Sequence, residues 1–499
     1  MPTLGLESHV VDRDVYDNSV RRFRERETLL PTFAQLAEPH RIPDSARRSL
    51  AEVDPDQAHP ANLFRVHWYN PAEGDHFRTL PDFIELPSSL TGVEARIVAL
   101  PADRFPMIHA HKVLASYGCL VPRLITGQFD PTLHRAIWPS TGNYCRGGIA
   151  VSRIAGCRGV AVLPEGMSRE RFDWLARWVR EPDDIIRTPG TESNVKEIYD
   201  KCNELDQDPR NIIFNQFSEF GNYLVHHECT GRAIAQVFDH LHQQCPNTRL
   251  RAFVSATGSG GTLAAGDYLK SRYGSSNVAV EAVQCPTLLY NGFGDHNIQG
   301  IGDKHVPLIH NVMNTDFVVG ISDSATDSLF VLFNSEAGRE FLTQRCRVPM
   351  ATLDQLPRFG LSSICNTLAA IKLAKYLDLG PDDVIVTVAT DGADLYRSEY
   401  DKVLDEKYRG CFESLESAET FGRYLAGLAT DHLLELTHID RQRIFNLGYF
   451  TWVEQQGISI EDFESRRNPG FWKGLLDLVP AWDDMIGEFN RKIGLGEAA

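Results

Sequence analysis

The 499 residues carry 42% hydrophobic and 23% charged side chains, which excludes wholesale disorder. At about 100–200 residues per domain, that length leaves room for several domains. Fifty basic against 67 acidic residues give a net charge of −17. With no Lys/Arg run to form a basic face, this argues against nucleic acid as a partner. The start, MPTLGLESHVVDRDVYD, has neither the basic region nor the apolar region of a secretory signal, and no apolar run is long enough to cross a bilayer. Ten scattered cysteines without a Cys-x-x-Cys pair read as reduced thiols, and the expected location is cytoplasmic, with no membrane partner.

Residues 1–85 are polar and helix-leaning, with little strand character. From about residue 92, β-branched runs alternate with amphipathic stretches. ARIVAL (95–100) predicts a strand, GGIAVSRIAG (147–156) a helix and GVAVLP (159–164) a strand. SRERFDWLARWV (168–179) predicts a helix, DDIIRT (183–188) a strand and ESNVKEIYDKCNEL (192–205) a helix. RAFVSA (251–256), VAVEAVQ (278–284) and DVIVTVAT (383–390) complete the strands. Such alternation predicts an α/β fold with mainly parallel sheet, whose ligands sit at the carboxyl ends of the strands. Beyond about 405 the chain turns helical and aromatic, and the expected role of this end is to cover the core.

Three turns each precede a helix. Thr257-Gly258-Ser259-Gly260-Gly261-Thr262 follows a strand, so its N–H groups and the helix dipole suit an anion. It is neither a Walker A loop, lacking the Lys, nor a dinucleotide fingerprint, because Leu263 stands at the third Gly/Ala place. Pro139-Ser140-Thr141-Gly142-Asn143-Tyr144 suits a carboxylate, and Phe359-Gly360-Leu361-Ser362-Ser363 forms the third turn. Taken singly, each is also compatible with an ordinary cap or tight turn.

Their order resembles the β-family, fold type II, of pyridoxal-phosphate enzymes: cysteine synthase, cystathionine β-synthase, threonine dehydratase and the tryptophan synthase β subunit. The family's Asn loop is similar to Ser140-Thr141-Gly142-Asn143-Tyr144-Cys145. Leu163-Pro164-Glu165-Gly166-Met167-Ser168, Asn215-Gln216-Phe217 with Asn222, His226 and Thr230-Gly231, and His296-Asn297-Ile298-Gln299-Gly300-Ile301-Gly302 resemble further family segments. Gly360-Leu361-Ser362-Ser363-Ile364 resembles the last of them. The resemblance covers roughly residues 90–400. It implies two parallel-sheet α/β subdomains with the active site between them. The expected division is an extension at 1–85, a catalytic domain at 86–405 with a smaller subdomain roughly at 113–220, and a helical extension at 406–499.

The resemblance implies pyridoxal 5′-phosphate as cofactor and Lys112 as its anchor, in a His-Lys pair like that of the tryptophan synthase β subunit. An amine near pKa 10.4 must lose its proton to attack an aldehyde, and the apolar flanks Met107, Ile108, Val113 and Leu114 favour that. By the same resemblance, Gly258, Ser259, Gly260, Gly261 and Thr262 cradle the phosphate, and Asn143 meets the 3′-oxygen. Ser362, or Ser363 by a one-residue slip, faces the pyridine nitrogen. Ser140, Thr141 and Gln216 receive the substrate carboxylate, with Gly142 and Tyr144 in the same loop. Tyr144 stands where the family has a small residue, so its ring narrows the pocket or adds a hydroxyl contact.

The expected activity is β-elimination or β-replacement through an aminoacrylate on serine, an activated serine or cysteine, with a thiol or other nucleophile as second substrate. A threonine/serine dehydratase or diamino acid ammonia-lyase is the alternative, and a catalytically silent cofactor-binding protein a further one. A homodimer is expected. The histidine pairs His109/His111, His226/His227 and His240/His242 lack the converging ligands of a metal site, and none is assigned. Cys145 reads as a half-buried structural thiol rather than a nucleophile.

Overall fold

The computed structural model describes residues 4–72 and 76–494. Residues 1–3 and 73–75 of the expected N-terminal extension, and 495–499 of the C-terminal one, lie outside the described residues. In chain order the strands are β1 (Ile84–Leu86), β2 (Arg96–Pro101), β3 (Arg135–Pro139), β4 (Arg158–Pro164), β5 (Ile185–Thr188) and β6 (Asn211–Ile213). They continue with β7 (Arg249–Ala256), β8 (Ser276–Ala282), β9 (Phe317–Ile321), β10 (Asp383–Ala389) and β11 (Leu433–Glu435).

Two sheets result. The larger runs β1-β2-β10-β7-β8-β9-β11 and the smaller β5-β4-β3-β6. Every pairing is parallel except at the two edges of the larger sheet, where β1 and β11 pair antiparallel with β2 and β9. The unbroken apolar runs explain the architecture. All seven residues of β10 are buried, as strands covered by helices on both faces require. The C-terminal segment is therefore not wholly helical, because Leu433–Glu435 pairs with Val319, Val318 and Phe317 and covers the β9 edge.

Besides β11, four strands were not expected from sequence: β1, β3, β6 and β9, of which β1 has only three residues. β3 and β6 are short, and β9 (FVVGI) is an apolar run too brief to tell strand from helix. The helix predicted from residue 147 begins at Asn143. It starts early because Gly142, at φ +146°, turns the chain sharply out of β3. The helix Lys112–Ile125 crosses the helix Phe220–Val225 very closely. A Cβ on Gly221 would lie 2.0 Å from the Gly118 carbonyl oxygen, so the crossing admits no side chain. It carries Lys112 toward the turn after β6.

The two ends of the chain pack on each other. Phe489 meets Tyr16 and Phe23 edge-on, and Trp482 meets Phe33. The Asp483 carboxylate accepts from the Phe33 and Ala34 N–H groups at the start of the helix Phe33–Ala37, and burial pushes its pKa up to about 6. The Trp452 indole donates to the Val306 carbonyl, so the C-terminal helices also bear on the larger sheet's loops. No helix among the described residues is long and apolar enough to cross a membrane. Replacing buried Phe489 with alanine empties the aromatic junction and is expected to destabilise by about 3–5 kcal/mol. The shift of the denaturant midpoint reads this. An unchanged midpoint would show that the junction does not contribute to stability.

Candidate active site

One cavity gathers residues from both sheets: Lys112, Ser140, Thr141, Asn143, Tyr144, Gln216, Gly258, Ser259 and Ser362 all line it. Most stand just past the carboxyl end of a parallel strand. Ser140–Asn143 follow β3, Gln216 β6, Gly258 and Ser259 β7, and Thr390 and Asp391 β10. That is where an α/β sheet leaves backbone groups and helix N-termini free.

Lys112 opens its helix, and its Nζ donates to Gln216 Oε1 at 2.9 Å and to Ser259 Oγ at 3.1 Å. Burial pulls its pKa from 10.5 down to about 8, against smaller pulls upward from Asp303, Cys119 and Glu192. Asn222 donates to the same Ser259 oxygen at 3.0 Å, which fixes the Gly-rich turn at the start of the helix Leu263–Tyr273. Behind it, Thr262 Oγ1 lies 3.2 Å from His111 Nε2. Gly260 packs on His310 and Gly261 on Asn222, so these glycines bring backbone close to neighbours rather than lining the cavity.

The Ser140–Asn143 turn is held from within and from the other sheet. Ser140 Oγ accepts from the Gly142 N–H at 3.0 Å. Gly142 itself packs on the Arg171 side chain, whose Cδ would stand 2.5 Å from an added Cβ, and it does not line the cavity. Asn143 donates one Nδ2 hydrogen to Asp391 Oδ2 at 2.7 Å and accepts from Arg146 at 2.9 Å, which leaves one amide hydrogen for a ligand. Tyr144 is turned away. Its hydroxyl donates to the Phe214 carbonyl at 3.2 Å and its ring packs on Trp138, so it narrows the cavity wall and offers no hydroxyl contact to a substrate. Cys145 is fully buried, not half-buried, and donates to the Trp138 carbonyl.

Of the serine pair, Ser362 lines the cavity, with its Oγ 2.6 Å from Thr390 Oγ1. Ser363 lies behind, accepting from the Thr390 N–H and donating to the Asp391 carbonyl.

Three acids at this cavity carried no signal in the sequence reading: Glu192, Asp303 and Asp391. Each follows a strand or sits beside a family-like segment, and only that placement could have marked them. Asp391 accepts from Tyr396 at 2.8 Å as well as from Asn143 and lies 3.8 Å from Arg171. Burial raises the pKa of all three, that of Glu192 to about 7.

The residues present fit pyridoxal phosphate. Beside the Lys112 amine lies a Gly-rich turn at a helix N-terminus, suited to a phosphate, and Ser362 brings a hydroxyl to the same cavity, where it could meet a ring nitrogen.

Because Glu192 ionises at about pH 7 in the folded protein against 4.5 for the free group, its ionisation opposes folding increasingly between those values. The Glu192→Gln variant is therefore expected to gain stability relative to the parent as pH rises from about 4.5 to about 7, on the order of 3 kcal/mol, and no more above that. Unfolding midpoints across this range check it, and a pH-independent difference would contradict it.

Residues 133–391 match the family model described as pyridoxal-phosphate dependent enzyme. The cysteine synthase of Staphylococcus aureus is 29% identical over 262 residues, 52% of this chain and 74% of that one. Cysteine synthase B of Campylobacter jejuni is 30% identical over 257 residues, 50% of this chain and 75% of that one. Among solved structures, the cysteine synthase of Entamoeba histolytica superposes with a TM-score of 0.54 at 19% identity, covering 71% of this chain and 97% of that one. The O-acetylserine dependent cystathionine beta-synthase of Helicobacter pylori gives 0.51 at 22% identity, covering 64% and 94%. Matched over half its length by the family model, and sharing the fold of these structures, this chain belongs to the pyridoxal-phosphate-dependent enzymes of fold type II.

Proposed function

We propose that the enzyme catalyses β-elimination or β-replacement on serine, an activated serine or cysteine, in a cysteine-synthase-like reaction. The observation that carries this reading is the Lys112 amine, held between Gln216 and Ser259 and partly relieved of its proton by burial. The cysteine synthases among its relatives support the substrate class.

When bound, the cofactor supplies an electron sink that acidifies the Cα–H of an amino acid and lets a Cβ substituent depart. Lys112 holds it and, once released, takes the Cα proton at Nζ; a pKa near 8 leaves a useful fraction of that amine neutral at physiological pH. The Ser140 and Thr141 turn and the Gln216 amide, whose Oε1 alone is used by Lys112, receive the substrate carboxylate. The remaining hydrogen of Asn143 would be available to the cofactor's 3′-oxygen. The Ser362 hydroxyl would meet the ring nitrogen without holding it protonated as a carboxylate would, which would favour loss of a β-substituent over transamination. Tyr144, backed by Trp138, closes one wall of the cavity and excludes water there.

A thiol or another nucleophile as second substrate, a homodimer and a cytoplasmic location complete the proposal. Ten unpaired cysteines support a reducing compartment.

Lys112→Ala is expected to abolish the visible cofactor absorbance and to lower turnover of β-substituted amino acids by at least about a thousandfold, as loss of both the covalent anchor and the base requires. Retained colour and turnover would overturn the reading. Cofactor capture by the apo-protein is expected to quicken as pH rises through about 8, since only the neutral amine attacks the aldehyde. Stopped-flow absorbance measures this, and a rise centred near 10.5 would show that burial leaves the amine unshifted.

A further inference from the structure

One face of this acidic chain is strongly basic. Two adjoining cavities of about 380 and 390 Å³ share Gly156 and Arg180, and neither has an acid in its lining. Arg22, Arg135, Arg158, Arg180 and Arg210 line the first, and Arg26 and Arg153 join Arg180 in the second. No run of Lys or Arg marks this face in the sequence; the fold assembles it. Arg135 opens β3, Arg158 opens β4 and Arg210 directly precedes β6, while Arg22 and Arg26 come from the end of the helix Arg13–Glu25. The face therefore lies at the amino ends of the smaller sheet's strands, opposite the carboxyl ends that carry the active site.

Its positive charge exceeds what the structure uses. Arg22, Arg26 and Arg153 donate to the carbonyls of Gly156, Ile154 and Trp178, an ordinary use of arginine at helix C-terminal ends. That accounts for three positions but not for the charge. Among the described residues, three carboxylates pair with the seven arginines: exposed Glu25 with Arg22 at 3.5 Å, Asp184 with Arg158 at 2.6 Å, and Asp208 shared by Arg135 and Arg210. Arg180 has no ion pair or hydrogen bond among the described residues, and Arg22 Nε is buried without a partner. Burial, and then the charges of Arg22 and Arg180, pull the pKa of Arg26 down, so the guanidinium groups feel one another.

Seven guanidinium groups against three carboxylates leave four positive charges uncompensated. One phosphate group carries about −1.5 to −2, so the excess matches two or more of them on one molecule, each able to take paired N–H donors from an arginine. Each cavity has the volume of a small-molecule site, and the net charge of −17 opposes a long polyanion lying across the rest of the surface. We propose that this face binds a small molecule carrying two or more linked phosphate groups, with the phosphates among Arg22, Arg158 and Arg180. The source is an inorganic polyphosphate or the phosphate tail of a nucleotide, whose base would enter the second cavity beside Trp178. The site is distinct from the amino-acid site, yet the helix Asn143–Ala155 joins them: it begins in the active-site turn and ends at Gly156, between the two cavities.

The test is calorimetric titration of the holoenzyme, without divalent cations, with tripolyphosphate, adenosine triphosphate, sulfate and a single-stranded DNA oligonucleotide. Arg180→Glu and Arg210→Glu, both at exposed positions, are each expected to weaken tripolyphosphate binding at least about tenfold. Arg397→Glu, at an exposed arginine outside both cavities, is expected to leave it unchanged. Retained cofactor absorbance shows that each variant is still built. Tighter binding of adenosine triphosphate than of tripolyphosphate would assign the site to a nucleotide, and otherwise to the phosphate chain alone; either result supports it. Failure of both polyphosphates to bind, sulfate binding as tightly as tripolyphosphate, tighter binding of the oligonucleotide, or an affinity that survives both charge reversals would overturn it. The wild-type ranking decides the matter even where a variant does not fold.

Discussion

A buried polar bridge between the two sheets sets the shape of the cavity. Arg171, on the helix Arg169–Trp178 beside the smaller sheet, reaches Gln299, Tyr396 and Asp391 on loops of the larger one. Asn143 reaches the same Asp391 from the neighbouring turn. Arg171 and Asp391 are both buried, and a buried charge stripped of its partner is far costlier than a surface pair, so these contacts depend on every partner being present. Gly142 belongs to the same constraint. Its positive φ and missing Cβ let the turn lie directly against the arginine.

Enclosing the cavity in this way pushes its titrating groups together. Removal from water disfavours every charged form, so the Lys112 amine gives up its proton more readily near neutral pH while Glu192, Asp303 and Asp391 become harder to ionise. One environment thus readies a base and holds back the ionisation of the acids that line the same cavity. The walls that do this, Phe217 and Tyr144 with Trp138 packed behind it, contribute packing.

Much of the site was legible in sequence because its anchors are backbone features. A strand followed by glycines and a helix start must turn in a restricted way, whether at Gly258–Thr262 or at Ser140–Asn143. The order of these turns carried the family resemblance, and Lys112 followed from its place in that order. Side-chain direction was not legible. Nothing in the string Asn143-Tyr144-Cys145 says that the tyrosine hydroxyl leaves the cavity for the Phe214 carbonyl, or that Ser362 and not Ser363 lines the cavity. Glu192, Asp303 and Asp391 looked like three among the chain's 67 acidic residues, since burial is a property of what packs around a residue. The two terminal segments were equally opaque, because Phe489 meets Tyr16 and Phe23 across the whole length of the chain.

The sequence by itself determined the alternation of strands and helices, the Gly-rich turns and hence the fold class and cofactor, for these depend on local periodicity and local backbone freedom. Only the tertiary structure decided which side chains share the cavity, which of them lose their partners to burial, and how far Lys112 is shifted. Those outcomes arise from desolvation and from contacts between residues as far apart in the chain as Asn143 and Asp391, and no local pattern encodes them.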